Sequence, residues 1–313
     1  MEIPITQSKA WQILQDDLGE KSFFTKDKDY QFLAILKTTP VGNYLYCPYG
    51  PVANDNASFK TALKELNSLA VKNQAFFIRI EPFEEAFARV LPRNAKKSHD
   101  LNPKETWLLD LKGKDEALRA KLPSRLLRYH KNAEKRGIVI ETSHDPSDIH
   151  YLLDLQKALA DKKGINTFSE KYLQTELSQP FATLYLVKYQ NPEEKSEQPQ
   201  IIAAGLVFDD KATRYNLQGA QNEVGRSLHA TGILTIQLIL DAKEKGLKTF
   251  DFWGIAPDDA PKNHPWAGFT AFKKTFNGKE VRYAGTYDIV INSSKYHFYQ
   301  LFRRINRLKR KIK

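Results

Sequence analysis

Strand-like runs, a helical period and then a strand that reads as buried occur in that order twice along this chain. In the first half, YQFLAILK (Tyr30–Lys37) and NYLYCPYG (Asn43–Gly50) are rich in aromatic and branched residues and bounded by turn residues. The period ASFKTALKELNSLAVKN (Ala57–Asn73) follows, with Phe59, Leu63, Leu66 and Ala70 on one stripe, and then the strand AFFIRIEP (Ala75–Pro82). In the second half the strands are FATLYLVKY (Phe181–Tyr189), QIIAAGLVF (Gln200–Phe208) and ATRYNLQGA (Ala212–Ala220), the first two joined by the charged hairpin tip QNPEEKSEQP. The helix LHATGILTIQLILDAKEKG (Leu228–Gly246) then leads into KTFDFWG (Lys248–Gly254). The repeated order predicts an α/β (α+β) protein of two similar units on mixed sheets.

Between the halves lies PSRLLRYHKNAEKRG (Pro123–Gly137), with proline near the first helical turn and glycine where a C-cap belongs. Leu126, Tyr129 or His130, and Ala133 are expected to face the protein, leaving Arg125, Arg128, Lys131, Lys135 and Arg136 as a basic flank. A last strand, RYAGTYDIVI (Arg282–Ile291), precedes an amphipathic helix that is basic on its outer side. These two basic segments hold much of an excess of 48 Lys and Arg over 37 Asp and Glu, a net charge of +11. Such a balance favours polyanionic partners: nucleic acid, phosphorylated small molecules or acidic lipid surfaces.

The single cysteine, Cys47, excludes an intrachain disulfide and a multi-cysteine zinc cluster, and its aromatic neighbours make it a small buried hydrophobe. The chain starts without the basic and apolar run of a signal peptide, and no segment approaches a membrane span. A cytoplasmic setting is expected, at the inner face of the membrane if the basic tail touches it. No phosphate loop, dinucleotide fingerprint or nucleophile elbow occurs, and the 7 histidines lack metal-ligand spacing. Strands followed by a long helix suit acetyl-coenzyme A transferases, whose small-residue turn cradles a pyrophosphate at a helix start. Here that point reads GRSLHATG (Gly225–Gly232), with His229 and Thr231 where small residues are wanted. The pattern is that fold without its coenzyme turn.

Six stretches together are similar to the Fem aminoacyltransferases: YCPYGPV (Tyr46–Val52), TWLLDL (Thr106–Leu111), RYHKNAEKRGIVI (Arg128–Ile140), RYNLQGA (Arg214–Ala220), FDFWGI (Phe250–Ile255) and GFTAFKKTFNG (Gly268–Gly278). They keep that family's order and spacing over nearly the whole chain. The resemblance implies two tandem acetyltransferase-like (GNAT-type) domains, expected at residues 1–143 plus 283–313 and at residues 144–282. No heptad-rich insertion is present, so the chain resembles the compact form without a two-helix arm. Tyr49 stands where many relatives have arginine.

The implied reaction moves an amino acid from aminoacyl-tRNA, the co-substrate, to the free amine of a peptidoglycan precursor's stem peptide. That precursor is UDP-MurNAc-peptide or a lipid-linked form, no further cofactor or metal is implied, and a monomer is expected. An aminoacyl ester is already activated, so the chemistry calls for positioning and for stabilisation of developing negative charge. By the resemblance, Lys273 supplies that cation with Phe272 beside it, while Lys274 is the solvated lysine of the pair. Phe269 and Phe276 are expected to anchor the segment in the core. Asp110 is a candidate to orient or deprotonate the attacking amine, or equally to cap a turn. Lys37, Lys163, Arg214 and Tyr215 are implied to bind the precursor, though Lys37 reads equally as a strand-end lysine and Tyr215 as core. Asp251 and Trp253 are expected to shape the pocket floor. The basic helix and tail then have the tRNA backbone as a partner, or the tail an acidic membrane. Two other readings remain open on sequence: an acyltransferase for another amine, and a non-catalytic RNA- or membrane-binding protein.

Overall fold

The computed structural model describes residues 3–163, 168–193 and 198–312, with backbone alone at 159–163 and 307–312. Its strands are β1 (Lys21–Lys26), β2 (Tyr30–Thr39), β3 (Gly42–Cys47), β4 (Val52–Ala53), β5 (Ala75–Ile80), β6 (Ala95–Lys97) and β7 (Glu105–Asp110). They continue as β8 (Ile138–Ser143), β9 (Ala182–Tyr189), β10 (Gln200–Asp209), β11 (Thr213–Gln221), β12 (Thr249–Gly254), β13 (Lys279–Arg282) and β14 (Tyr287–Val290). The helices are α1 (Lys9–Asp17), α2 (Asn56–Lys72), α3 (Glu85–Ala88), α4 (Asp115–Lys121), α5 (Ser124–Lys131) and α6 (Ile149–Lys163). After them come α7 (Glu170–Leu177), α8 (Glu223–Ser227), α9 (Ala230–Glu244), α10 (Ala267–Lys274) and α11 (Ser293–Ile312).

The chain divides into two compact units, residues 1–104 with 282–313, and residues 105–281. The first boundary differs from the one expected after residue 143. Residues 105–143 belong to the second unit because β7 pairs antiparallel with β12, and Leu118, Leu122, Ala133 and Ile138 enter that unit's apolar core.

In the first unit the strand order is β1-β2-β3-β5-β14-β6, with β4 paired to β2. Its parallel pair, β3 with β5, is joined through α2. That helix starts where it does because Asp55 accepts from the amides of Ala57 and Ser58 at 2.9 and 2.8 Å, while the Ser58 hydroxyl accepts from the Asp55 amide. Phe59, Leu63, Leu66 and Ala70 are buried as the period requires, packing with β5, every residue of which is buried. Phe76 and Phe77, also on β5, meet Tyr296 and Tyr299 of α11.

Strand β14 is held in place by a buried fork. Arg79 on β5 donates from Nε and Nη2 to the two oxygens of Asp288 at 2.7 and 2.8 Å, and Tyr296 donates to the same carboxylate at 2.9 Å. The paired carboxylate raises the Arg79 guanidinium pKa despite its burial. A second buried carboxylate, Glu81, gathers the loop of the YCPYGPV stretch. It accepts from the Tyr46 hydroxyl, the Tyr49 amide, the Asn102 amide and side chain, and the Thr286 hydroxyl. Burial, then Glu81, holds the Tyr46 phenol well above its usual pKa. Cys47 lies fully buried in this region, its thiol pushed up by the same burial.

In the second unit the order is β13-β7-β12-β11-β10-β9-β8. Here α9 joins the parallel pair β11 and β12 as α2 joins β3 and β5. The predicted duplication is therefore present in the order β1-β2-β3-β5-β14-β6 matching β9-β10-β11-β12-β7-β13, with β4 and β8 additional to the shared pattern. Helix α9 is apolar nearly all round, because it lies on the sheet and is covered in turn by α5. Gly232 permits that cover: a side chain there would meet Leu126 of α5 at 2.6 Å. Gly137 closes the basic segment in a left-handed conformation at φ 72°, as its C-cap position predicts.

Replacing Asp288 with alanine leaves Arg79 buried without its counter-charge. The first unit is expected to lose about 3–5 kcal/mol in chemical denaturation; a loss below about 1 kcal/mol would show that the fork does not hold β14.

Candidate active site

Strands β11 and β12 pair only from Thr213 with Thr249 to Tyr215 with Asp251, although β11 runs on to Gln221 and β12 to Gly254. The two strands therefore part after Asp251, and their backbone groups beyond that point need other partners. On the other side of β12 the register with β7 also shifts between Asp251 and Gly254, a bulge in which Trp253 takes a left-handed φ of 63°. A large aromatic residue holds that conformation only where its surroundings impose it. The imposing group is Asp251. Buried in the sheet, its Oδ1 accepts from the Trp253 amide at 2.7 Å and from the Thr106 hydroxyl of β7.

The bulge turns two carbonyls toward α10, and Lys273 takes both. Its Nζ donates to Gly254 O at 2.7 Å and reaches Trp253 O at 3.4 Å. Burial pushes the Lys273 ammonium pKa down to about 8, and the Asp251 carboxylate opposes that shift. Helix α10 is fixed to the chain after β12 by the Thr270 hydroxyl, which accepts from the Ala256 amide at 2.8 Å. Phe272 packs into the second unit's core, its ring edge-on to buried Phe276 with centroids 5.2 Å apart. Phe269, expected to be an anchor, is exposed. Lys274 is not simply solvated: it lies between Asp258 at 3.3 Å and Glu280 at 3.5 Å, with its ammonium 5.6 Å from the Trp107 ring.

Tyr215 joins the same corner. Its ring meets that of Trp253 edge-on, centroids 6.2 Å apart, and its hydroxyl donates to Asp210 at 2.8 Å. Arg214, implied to bind a precursor, has no exposed surface with which to do so. Its guanidinium is forked on Asp209 at 2.7 and 2.6 Å and donates to the Leu238 carbonyl and the Tyr185 hydroxyl. It is a structural cation. Asp110 is exposed, accepting from the Lys112 amide at 3.0 Å, which is the turn-capping geometry. Lys37 belongs to the first unit, paired with Glu20 at 2.7 Å. Lys163 ends α6, and its side chain lies outside the described residues.

The basic segment forms a separate feature of the second unit. Arg125, Arg128 and Arg136 surround the Tyr129 ring at 5.3, 5.8 and 4.7 Å, and that ring stacks on His229 with centroids 5.1 Å apart. Arg125 donates to the Tyr129 hydroxyl at 2.8 Å, which lowers the phenol pKa. Arg125, Arg128, Lys131 and Lys135 are exposed, as the helical period predicts, whereas Arg136 turns inward to the Leu228 carbonyl at 3.3 Å. This packing occupies the start of α9, where an acetyltransferase keeps its pyrophosphate turn. Among the described residues, no three His, Cys, Asp or Glu side chains gather as a metal site would require.

The fold and site define a tandem pair of acetyltransferase-like units whose second member carries a half-buried lysine at the parting of its parallel strands. The FemAB family model matches residues 174–304. The crystal structure of FemX is similar over 94% of each chain, with a TM-score of 0.80 at 18% identity. L-PGS from Bacillus licheniformis has a TM-score of 0.57 at 15% identity over 98% of this chain and 99% of its own. A tandem GNAT protein from the clavulanic acid biosynthesis pathway has a TM-score of 0.51 at 12% identity, covering 84% of this chain and 79% of its own. No curated protein matches the sequence. The chain is thus similar to the FemAB family over residues 174–304 and shares the fold of FemX.

A lysine whose folded pKa is depressed opposes folding while protonated, so its contribution to stability improves as pH rises from about 8 toward 10.5. The stability difference between wild type and Lys273→Met is expected to change by roughly 2–3 kcal/mol in favour of wild type across that window. Paired denaturation curves measure it, and a difference flat with pH would refute the half-buried ammonium.

Proposed function

We propose that the protein is an aminoacyltransferase that passes an amino acid from aminoacyl-tRNA to the free amine of a peptidoglycan stem peptide. The family match and the acetyltransferase-like fold support an acyltransferase. The observation that carries the finer reading is the Lys273 ammonium, seated on the Trp253 and Gly254 carbonyls where β11 and β12 part.

In the proposed reaction the amine nitrogen attacks the ester carbonyl, and the carbon–nitrogen bond forms as negative charge gathers on oxygen. The carbon–oxygen bond to the ribose then breaks. The amine gives up a proton and the leaving ribose oxygen gains one. Lys273, as a compact, half-buried cation, stabilises the charge on the leaving oxygen. With its pKa at about 8 it is protonated at neutral pH and stands close to its titration point, which suits it to hand over that proton. Phe272 anchors the helix that carries it. The exposed arginines and lysines of α5 offer a surface for tRNA phosphates, and Tyr129 a ring for stacking. The acceptor is a UDP-MurNAc-peptide or its lipid-linked counterpart.

The test is incubation of the purified chain with mixed charged tRNAs and a UDP-linked pentapeptide, read by mass. A gain of one amino acid by the peptide supports the reading. Transfer only to another amine would replace it with a general acyltransferase, and tRNA binding without any transfer would leave an RNA-binding protein. Lys273→Met is expected to cut turnover by roughly 10²–10³-fold while the chain stays folded.

Because the protonated lysine is the working form, turnover is expected to fall as pH rises through about 8. Asp251→Asn removes the charge that holds the Lys273 pKa up, so the alkaline limb of the pH–rate profile is expected to move to lower pH. An unmoved limb would separate Lys273 from the observed titration.

A further inference from the structure

Helix α11 presents a surface that the transfer reaction does not use. Tyr296 and Tyr299 are buried against Phe76 and Phe77, and the Arg303 guanidinium lies against the His99 ring, its nitrogens 2.9 and 2.8 Å from Nδ1 and Nε2. These contacts pin one side of the helix to the first unit. The opposite side carries Phe298, Leu301, Phe302 and Ile305 at i, i+3, i+4 and i+7, a single stripe down the helix. Their exposures are 68, 54, 40 and 42%. Four neighbouring large apolar side chains in water form the kind of contiguous patch that a soluble surface seldom keeps without a partner.

The charge around the stripe says which partner. The segment SSKYHFYQLFRRINRLKRKIK, from Ser293 to Lys313, contains eight Lys and Arg and no Asp or Glu. A second copy of this helix would bring like charges together along the whole contact, at a cost that grows with every pair. A nucleic acid would satisfy the cations and leave the phenylalanines in water. A bilayer rich in anionic lipid satisfies both: acyl chains and glycerol backbones take the apolar stripe, and phosphates take the cations. No helix among the described residues is long and apolar enough to cross a membrane, so the helix would lie along the surface and not span it.

We propose that α11 is an interfacial helix that docks the first unit on an anionic lipid bilayer, with Phe298, Leu301, Phe302 and Ile305 inserted below the headgroups and the helix cations on lipid phosphate. This rests on the helix alone. It stands or falls independently of the transfer reaction, which is measured with a soluble acceptor and no membrane.

The experiment is co-sedimentation of the full chain with vesicles of phosphatidylcholine, with and without phosphatidylglycerol, over a range of salt. Pelleting with the phosphatidylglycerol vesicles, weak with phosphatidylcholine alone, is expected. Phe298→Ser combined with Phe302→Ser keeps every charge and is expected to weaken binding at least roughly tenfold. A thermal melt checks that this variant is folded. Phe302→Trp provides a second readout: brominated lipids quench a tryptophan inserted among acyl chains. Absence of binding to anionic vesicles overturns the proposal. So does binding that the serine pair leaves unchanged, a Phe302→Trp signal that brominated lipid does not quench, or a self-association that the serine pair abolishes in a protein that ignores vesicles.

Discussion

A carboxylate buried in a sheet must find donors, and the geometry of the second unit's site follows from the donors that Asp251 finds. One is the hydroxyl of Thr106 on the neighbouring strand, and the other is the amide of Trp253, two residues further along its own strand. The second bond curls the chain back on itself, which takes Trp253 out of the extended conformation and frees the carbonyls at the strand end. A lysine is the natural group to accept such an arrangement, because it offers several donors on one compact head. The carboxylate thus acts on Lys273 twice, through the backbone it bends and through its charge.

The alternation of polar and apolar residues made most of the architecture readable. Phe59, Leu63, Leu66 and Ala70 lie buried where the helical period puts them, and AFFIRI, apolar but for Arg79, is buried on both faces. The domain boundary was less readable, because TWLLDL has the composition of a strand in either unit. Only its pairing with β12 assigns it, and pairing between distant strands leaves little local trace in sequence. Phe269 was also expected to be an anchor. Once α10 is formed, Phe272 and Phe276 share the inward face and Phe269 is left outside.

The site itself was partly legible. The choice between Lys273 and Lys274 came from resemblance, and the structure gives the two lysines different partners, backbone carbonyls for one and acidic side chains for the other. Arg214 shows the opposite limit. An arginine in a strand next to a tyrosine has no local mark that tells a buried fork from a ligand contact. The Asp209 that claims it lies across a turn on the preceding strand. Asp251 did carry a signal, a lone acid between two phenylalanines in an apolar strand, and such an acid needs a reason to be there.

The place of β14 has a consequence for the order in which the protein comes into being. That strand lies between β5 and β6 in the first sheet and holds the Arg79 fork, yet it is made only after every strand of the second unit. The second unit, an unbroken stretch from residue 105 to 281, has all its strands while the ribosome is still at work. The unit that begins first is therefore completed last. Until β14 arrives, β5 keeps an open edge and Arg79 has no counter-charge, so the nascent amino-terminal half waits until the whole second unit has been made.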